Sequence, residues 1–163
     1  MFERPHHQRV AQVLTSLDAA VLRAHCCWFG GGTAIALRHG EYRESVDMDF
    51  LVSDLACYRD LRQLLTGTQG IAALARHPGA WQQPQEVRAD QYGIRTLLEV
   101  QAVRIKFEVV LEGRIALATP RSGDEICGVA TLTPLDLLTS KLLANADRWG
   151  MTVCLAGMCW TWP

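Results

Sequence analysis

The sequence lacks any apolar run approaching the ~20 residues that a membrane-spanning helix needs. Its first residues are polar and include no apolar segment of the kind that a secretory signal carries. An excess of one charge is also missing, since the net charge is −1. This balance excludes a uniformly basic nucleic-acid-binding protein, although it leaves room for a local basic patch. We therefore expect a cytoplasmic protein that does not bind membranes.

Cysteine spacing typical of metal or redox sites is absent as well. The chain has six cysteines, but no two of them form a Cys-x-x-Cys pair, and their spacing fits no zinc motif. We interpret them as reduced thiols, most of them small residues of the core. The alternative, a disulfide framework, is less consistent with an intracellular protein.

The hydrophobic residues follow helical and strand periodicities. They make up 49% of 163 residues, which is enough for one domain with a substantial core. Apolar steps of three and four predict helices at residues 7–24, 33–39, 55–65, 71–75 and 133–148. Short alternating or apolar runs predict strands at residues 27–29, 46–52, 86–88, 93–100, 103–111 and 115–118. This order predicts an α/β (α+β) fold over residues 1–150, with a mixed sheet flanked by helices.

Two aspartates alternate with apolar residues in the predicted strand at residues 46–52. Asp47 and Asp49 are two positions apart, so both carboxylates point to one face of the strand, about 7 Å apart. Like charges at that spacing are unfavourable unless a cation lies between them, and Mg²⁺ prefers such oxygen ligands. Taken alone, however, the pair is better explained as a solvated strand edge.

A glycine-rich segment, Gly30 to Thr33, stands between a predicted strand and a predicted helix. Glycines let the backbone approach a ligand closely, and a helix N-terminus offers unpaired N–H groups and a positive dipole end. The segment is therefore suited to bind phosphate groups, with the Thr33 hydroxyl as a further donor. It is not a Walker loop, because no Gly-Lys-Ser/Thr follows. The alternative is a flexible turn that only joins two elements.

The glycine segment and the acidic strand are together more specific than either motif alone. With this pair the chain resembles the DNA polymerase β-like nucleotidyltransferases, whose signature is Gly-[Gly/Ser] followed about ten to sixteen residues later by Asp-x-[Asp/Glu]. It resembles the AbiEii-type nucleotidyltransferase toxins of abortive-infection systems more closely, at residues 31–37 and 43–50. The resemblance covers about residues 25–148 and implies a polymerase β-like nucleotidyltransferase core.

The resemblance also implies a third carboxylate on a later strand, between apolar neighbours. Glu108 fits this setting, since Phe107 and Val109 flank it. Glu99 is the rival candidate, but the apolar run around Glu108 is longer and Lys106 shares its face. A charge on an edge strand is the alternative explanation for Glu108.

Basic and hydroxyl residues complete the implied nucleotide site. Lys141 lies in an otherwise apolar helix, where the resembled family places a lysine near the nucleotide phosphates; a lysine that simply reaches solvent is the alternative. Ser45 is a candidate phosphate-binding residue, and Arg43 is a candidate ion-pair partner of Asp47, although each is more consistent with local support. No acid partner that would give His6, His7 or His25 a catalytic role is apparent, so we expect these histidines on helices or at the surface.

The implied reaction is two-metal transfer of a nucleotide from a nucleoside triphosphate. The resemblance assigns two Mg²⁺ ions to Asp47, Asp49 and Glu108, and the nucleotide to Gly31, Gly32, Thr33, Ser45 and Lys141. It favours RNA (tRNA) or protein as the acceptor and a cognate antitoxin as a protein partner. A catalytically inactive remnant that acts only as a nucleotide- or antitoxin-binding module is the alternative.

The last thirteen residues, 151–163, do not match the resembled family. They contain two tryptophans, two methionines, two cysteines and no charge, where the family has a stretch like Arg-Asp-x-x-Asp-Leu-Ala. Back-translation in a frame that starts at the last base of the Gly150 codon permits Arg-Asp-Val-Leu-Asp-Leu-Ala. We therefore interpret residues 151–163 as an aberrant, frameshifted tail on a C-terminally truncated core. The alternative is a genuine hydrophobic terminus that packs on a partner.

We expect a DNA read across the Gly150 codon to reveal a lost base, followed by a shifted frame that stays open for another domain's length. The reason is that the shifted frame restores the pattern the family shows at this position. Confirmation of the present frame and its stop codon, with no coding frame beyond, would contradict the frameshift.

Overall fold

The computed structural model describes residues 2–155 except Pro78. Its α-helices are α1 Pro5–Ser16, α2 Ala19–Ala24, α3 Gly31–Arg38, α4 Leu55–Leu65 and α5 Pro134–Leu155, and a 3₁₀ helix spans Gly70–Leu74. Its strands are β1 Trp28–Gly30, β2 Met48–Val52, β3 Arg88–Ala89, β4 Gly93–Val100, β5 Val103–Leu111, β6 Glu125–Ile126 and β7 Val129–Ala130. Within the described part of the chain, no helix is long and apolar enough to cross a membrane.

Five of the strands form one mixed sheet in the order β1-β2-β5-β4-β3, and β6 and β7 form a separate hairpin. The pair β2 and β5 is parallel, whereas the other neighbours in the large sheet are antiparallel. A parallel pair needs a long crossover connection, and here α4, β3 and β4 lie in that connection. The predicted α/β fold with a mixed sheet flanked by helices is confirmed.

One face of the sheet forms the hydrophobic core. Phe29, Phe50 and Phe107 come from three adjacent strands and are fully buried. Their rings are in contact, with centroids 5.3 Å apart for the first pair and 5.0 Å for the second. Apolar residues of α1 and α4 belong to the same core cluster. Because side chains alternate along a strand, the residues next to these phenylalanines point to the opposite face.

The structure divides the first predicted helix into two. Residues 7–24 were expected to form one helix, but α1 ends at Ser16 and α2 begins at Ala19. Asp18 caps α2 by accepting hydrogen bonds from two backbone N–H groups, and its own N–H donates to Leu74 O at 2.7 Å. A capping aspartate with a tertiary backbone bond thus overrides continuous helical periodicity.

The predicted strand at residues 115–118 is wrong, because these residues bond to side chains instead of to a strand. The N–H of Leu117 donates to Ser53 Oγ, and the N–H of Ala118 donates to Asp136 Oδ2. The hairpin of β6 and β7 was not predicted. Helices and strands at residues 55–65, 93–100 and 103–111 agree with prediction.

Helix α5 continues past the end predicted for it near residue 148 and reaches Leu155. The predicted aberrant tail at residues 151–163 lies outside the described residues from position 156 onward. The frameshift therefore stays a prediction.

Helix α1 holds the segment that leads to Asp47. His7 of α1 is fully buried, and its Nε2 accepts a hydrogen bond from the Ser45 N–H at 3.1 Å. Its Nδ1 is therefore the protonated nitrogen, which donates to Glu41 Oε1 at 2.7 Å. His7 lies on a helix, as predicted, but sequence reasoning missed Glu41 as its partner because the two residues are 34 positions apart.

We expect His7→Ala to lower the free energy of unfolding by about 2–4 kcal/mol, because it removes a buried ring and the hydrogen bonds that this ring makes with Glu41 and with the Ser45 N–H. His6→Ala is the matched control, since the neighbouring ring contacts a single carbonyl, Val46 O, at 3.0 Å. Its loss should stay below about 1 kcal/mol. Urea denaturation measures the free energy of unfolding of both variants. Equal losses would show that His7 does not stabilise the segment that leads to Asp47.

Candidate active site

Three carboxylates are placed by the parallel strands β2 and β5. Asp49 lies in β2 with Gly30 opposite it on one side and Glu108 opposite it on the other. Asp47 directly precedes β2, which begins at Met48 instead of at the predicted residue 46. These acids lie on the face of the sheet opposite the phenylalanine cluster. The strand register thus places Glu108, the acid predicted on the later strand, opposite Asp49 of the predicted acidic pair.

The environment of Asp49 disfavours its charged form. Burial, followed by the charges of Asp47 and Glu108, raises the pKa of Asp49 to about 6. The positive charges of Lys106 and Lys141 oppose this rise without cancelling it. A divalent cation bound by the carboxylates would relieve the repulsion.

The predicted glycine segment abuts the acids directly. Gly31 begins α3 with a φ of +69°, a conformation that favours glycine. A Cβ at this position would lie 2.7 Å from the Cβ of Asp49, closer than side chains approach one another. No side chain caps α3 at Gly30. The N-terminus of α3 therefore lies beside the Asp49 carboxylate, where the chain has no room for a side chain.

Thr33 and Ser45 connect the glycine segment to the acidic strand. The Thr33 hydroxyl is buried, donates to the carbonyl oxygen of Asp47 and lies 2.9 Å from Ser45 Oγ. Sequence reasoning assigned this hydroxyl to phosphate binding. In the structure the Thr33 hydroxyl has its hydrogen-bond partners within the protein. Its contact with the Asp47 carbonyl fixes the backbone next to this acid.

Two cavities share the floor formed by Asp49. One, of about 420 Å³, is lined by Gly32, Ser45, Asp47, Asp49 and Lys141 among others. A second, of about 230 Å³, continues past Gly31, Asp49 and Lys141 to the end of β5. Both cavities are lined by Lys141 of α5, so the predicted lysine lies at the acids and not only at the surface.

Glu108 and its rival Glu99 have different surroundings. The Glu108 side chain is 13% exposed and receives hydrogen bonds from Arg95 Nε at 2.6 Å and Lys106 Nζ at 2.5 Å. These two cations lower its pKa against the opposing effect of burial. Glu99 lies at the far end of β4, opposite Arg104, with which it forms an ion pair. The structure therefore places Glu108, and not Glu99, beside Asp49.

In their present arrangement, the acids supply only part of a binding site for a divalent cation. Within residues 2–155 without Pro78, no three His, Cys, Asp or Glu side chains form a cluster ready to bind a metal. Asp47 and Asp49 supply oxygen ligands whose repulsion a cation would relieve, as the raised pKa of Asp49 indicates. Glu108 would have to exchange Arg95 or Lys106 for the metal to become a third ligand.

Sequence reasoning missed an ion-pair network at the edge of this site. Arg114 donates to both carboxylate oxygens of Glu112, which is nearly buried at the end of β5, and also to Asp147 of α5. The Glu112 hydrogen bonds raise the pKa of Arg114 above its ordinary value. This network joins α5, and with it Lys141, to the sheet. Glu112 and Arg114 are two positions apart, but Asp147 lies 33 positions after Arg114, so the link to α5 follows no local pattern.

Two solved structures from Helicobacter pylori resemble the chain. The first, described as a candidate nucleotidyltransferase, is 16% identical, with a TM-score of 0.48 over 84% of this chain and 56% of that chain. The second, JHP933, is 14% identical, with a TM-score of 0.49 over 87% of this chain and 58% of that chain. The chain thus spans a little over half the length of either structure, and no curated protein matches it.

A family profile gives the assignment. The profile of the nucleotidyl transferase AbiEii toxin, from type IV toxin–antitoxin systems, matches residues 12–152, which include every candidate site residue described above. The chain therefore belongs to the AbiEii family of nucleotidyl transferase toxins.

Proposed function

We propose that this chain carries the catalytic core of a metal-dependent nucleotidyltransferase. It transfers a nucleotide from a nucleoside triphosphate to an RNA (tRNA) or protein acceptor, as the toxin component of a toxin–antitoxin system. Family membership supports the reaction class and a cognate antitoxin as partner. The metal, the nucleotide and the acceptor are parts of the proposal.

The observation that carries the proposal is the position of Asp49. Its carboxylate lies against Gly31 at the start of α3, stands in register with Glu108 and shares its cavities with Lys141. Phosphoryl chemistry depends chiefly on positioning and on neutralising charge. This arrangement combines the phosphate-binding terminus of α3, the ammonium group of Lys141 and clustered acids within one space.

The phosphates bind on the side of the glycine segment. Gly31 and Gly32 present backbone N–H groups at the N-terminus of α3, where the helix dipole favours an anion. Ser45 and Lys141 line the adjoining cavity, so a hydroxyl and an ammonium group complete the binding of the triphosphate. The Thr33 hydroxyl acts indirectly, because it fixes the Asp47 backbone.

The carboxylates that would hold the metal lie next to the glycine segment. Asp47 and Asp49 would hold Mg²⁺, and Glu108 would help to hold a second ion. The metal would supply positive charge at the reacting phosphate and at the pyrophosphate that leaves. Arg95 and Lys106 keep Glu108 ionised. If Glu108 held the metal, these two cations would lose their partner and could bind an anionic acceptor.

A second candidate function is a catalytically inactive nucleotide- or antitoxin-binding module. The ion pairs of Glu108 favour it, because a third acid that stays bound to Arg95 and Lys106 cannot bind metal. Such a module would bind a nucleoside triphosphate through α3 without transferring any part of it.

We expect the chain to transfer radiolabel from an α-labelled nucleoside triphosphate to added RNA or protein in the presence of Mg²⁺. Asp49→Asn should reduce transfer by about 100-fold or more, because it removes a metal-binding charge with almost no change in shape. Asp60→Asn is the control, since Asp60 is exposed on α4. Nucleotide binding without transfer in the unaltered chain would favour the inactive module.

We expect Asp49→Asn to raise the free energy of unfolding by about 1–3 kcal/mol at neutral pH without divalent cations. The pKa of Asp49 is about 6 when folded, against an ordinary 3.8, so the fold loses stability as the pH rises from about 4 to 6 and carries the full cost of the ionised carboxylate above 6. The advantage of the variant should therefore shrink as the pH falls from 6 to 4 and vanish below that.

Denaturation across this pH range, with and without Mg²⁺, measures the effect. Added Mg²⁺ should stabilise the unaltered chain and leave Asp49→Asn unaffected, because the metal relieves a repulsion that the variant lacks. If Mg²⁺ stabilises both proteins equally, Asp49 does not bind the metal.

A further inference from the structure

Two cysteines outside the candidate active site face each other across the fold. Cys57 Sγ lies 3.2 Å from Cys26 Sγ, although the residues are 31 positions apart. Both side chains are half-buried, so small reagents reach them. Bonded disulfide sulfurs are about 2.05 Å apart, and the two thiols are thus about 1.2 Å from bonding distance.

The backbone holds both cysteines in place. Cys57 is in the first turn of α4, where its N–H donates to the capping carboxylate of Asp54 at 2.7 Å. Cys26 lies in the turn between α2 and β1 with a φ of 49°, and its N–H donates to Arg23 O. The pair therefore meets through two fixed backbone segments and not through a mobile loop. Small side-chain rotations are enough to close the remaining distance.

The chain between these cysteines contains the phosphate-binding and metal-binding motifs. Residues 27–56 include β1, α3 and β2, and with them Gly31 and Asp49. A bond between Cys26 and Cys57 would close this segment into a loop at its two ends.

We propose that Cys26 and Cys57 are a thiol-modification site. A low-molecular-weight disulfide such as oxidised glutathione oxidises the two thiols to an intramolecular disulfide. The Cys26 thiolate attacks the reagent, breaks its S–S bond and releases one thiol, which leaves a mixed disulfide on Cys26. Cys57 then loses its proton and attacks the Cys26 sulfur, which releases the second thiol. The two cysteine sulfurs lose two electrons in total, the reagent gains them, and the two cysteine protons end on the released thiols.

The surroundings of Cys57 support this order of attack. Burial, the hydrogen bond with Cys26 and the nearby Asp54 carboxylate raise the pKa of Cys57. Cys57 therefore keeps its proton in the reduced protein and donates it toward Cys26 Sγ, which leaves Cys26 as the first nucleophile. Cys27 is no competitor, because it is fully buried and burial raises its pKa strongly.

The test is to equilibrate the full chain with oxidised glutathione, alkylate the remaining thiols and map the peptides by mass spectrometry. We expect two of the six cysteines to escape alkylation and to appear as one peptide pair that joins Cys26 to Cys57. The melting temperature should rise by roughly 5–15 °C, because the bond closes a loop of about 30 residues in the unfolded chain. Dithiothreitol should reverse both changes.

Cys57→Ser should abolish the peptide pair and the rise in melting temperature, and Cys26→Ser should do the same. Cys127→Ser is the matched control, because Cys127 is exposed and should leave both results unchanged. The proposal is overturned if Cys26 and Cys57 stay fully alkylated in oxidised glutathione, or if the bond maps to another pair of cysteines.

Discussion

The close approach of Gly31 to Asp49 is the constraint on which the rest of the site depends. The acid needs a neighbour without a side chain, and the glycine accepts both the contact and a positive φ. Next to this contact, the buried Phe50 of β2 packs on the ring of Phe107 of β5. The parallel pairing of the two strands brings Glu108 next to Asp49. The raised pKa of Asp49 is the energetic sign of this crowding. The fold thus holds these like charges together at a cost in stability.

The motifs that the sequence made recognisable are local ones. The alternation around Asp49 and the glycines before α3 are short patterns with a direct physical reading, and the structure places them side by side. The strands at 93–100 and 103–111 were predictable because long apolar runs flank a turn. Glu108 could be preferred over Glu99 from its flanking residues, and the strand register agrees with that preference.

The features that sequence reasoning missed are contacts between distant parts of the chain. His7 contacts Glu41, and Arg114 contacts Asp147. The sequence separations of these pairs are too long to produce a periodic pattern. The Thr33 hydroxyl was assigned to a ligand because its bond to the Asp47 carbonyl depends on how α3 docks on β2. In each case the competing partner is a backbone or side-chain group that only the tertiary fold supplies.

The parallel pairing of β2 with β5 has a consequence for how the chain folds during its synthesis. Asp49 and Glu108 are joined in space only after β3 and β4 have been made, and Lys141 follows on α5. Contacts of such long sequence separation form late and slowly. A nascent chain that has left the ribosome only as far as β4 therefore holds the glycine segment and the first two acids without the third acid or the lysine. For a toxin family, this order of synthesis delays assembly of the site until most of the domain exists.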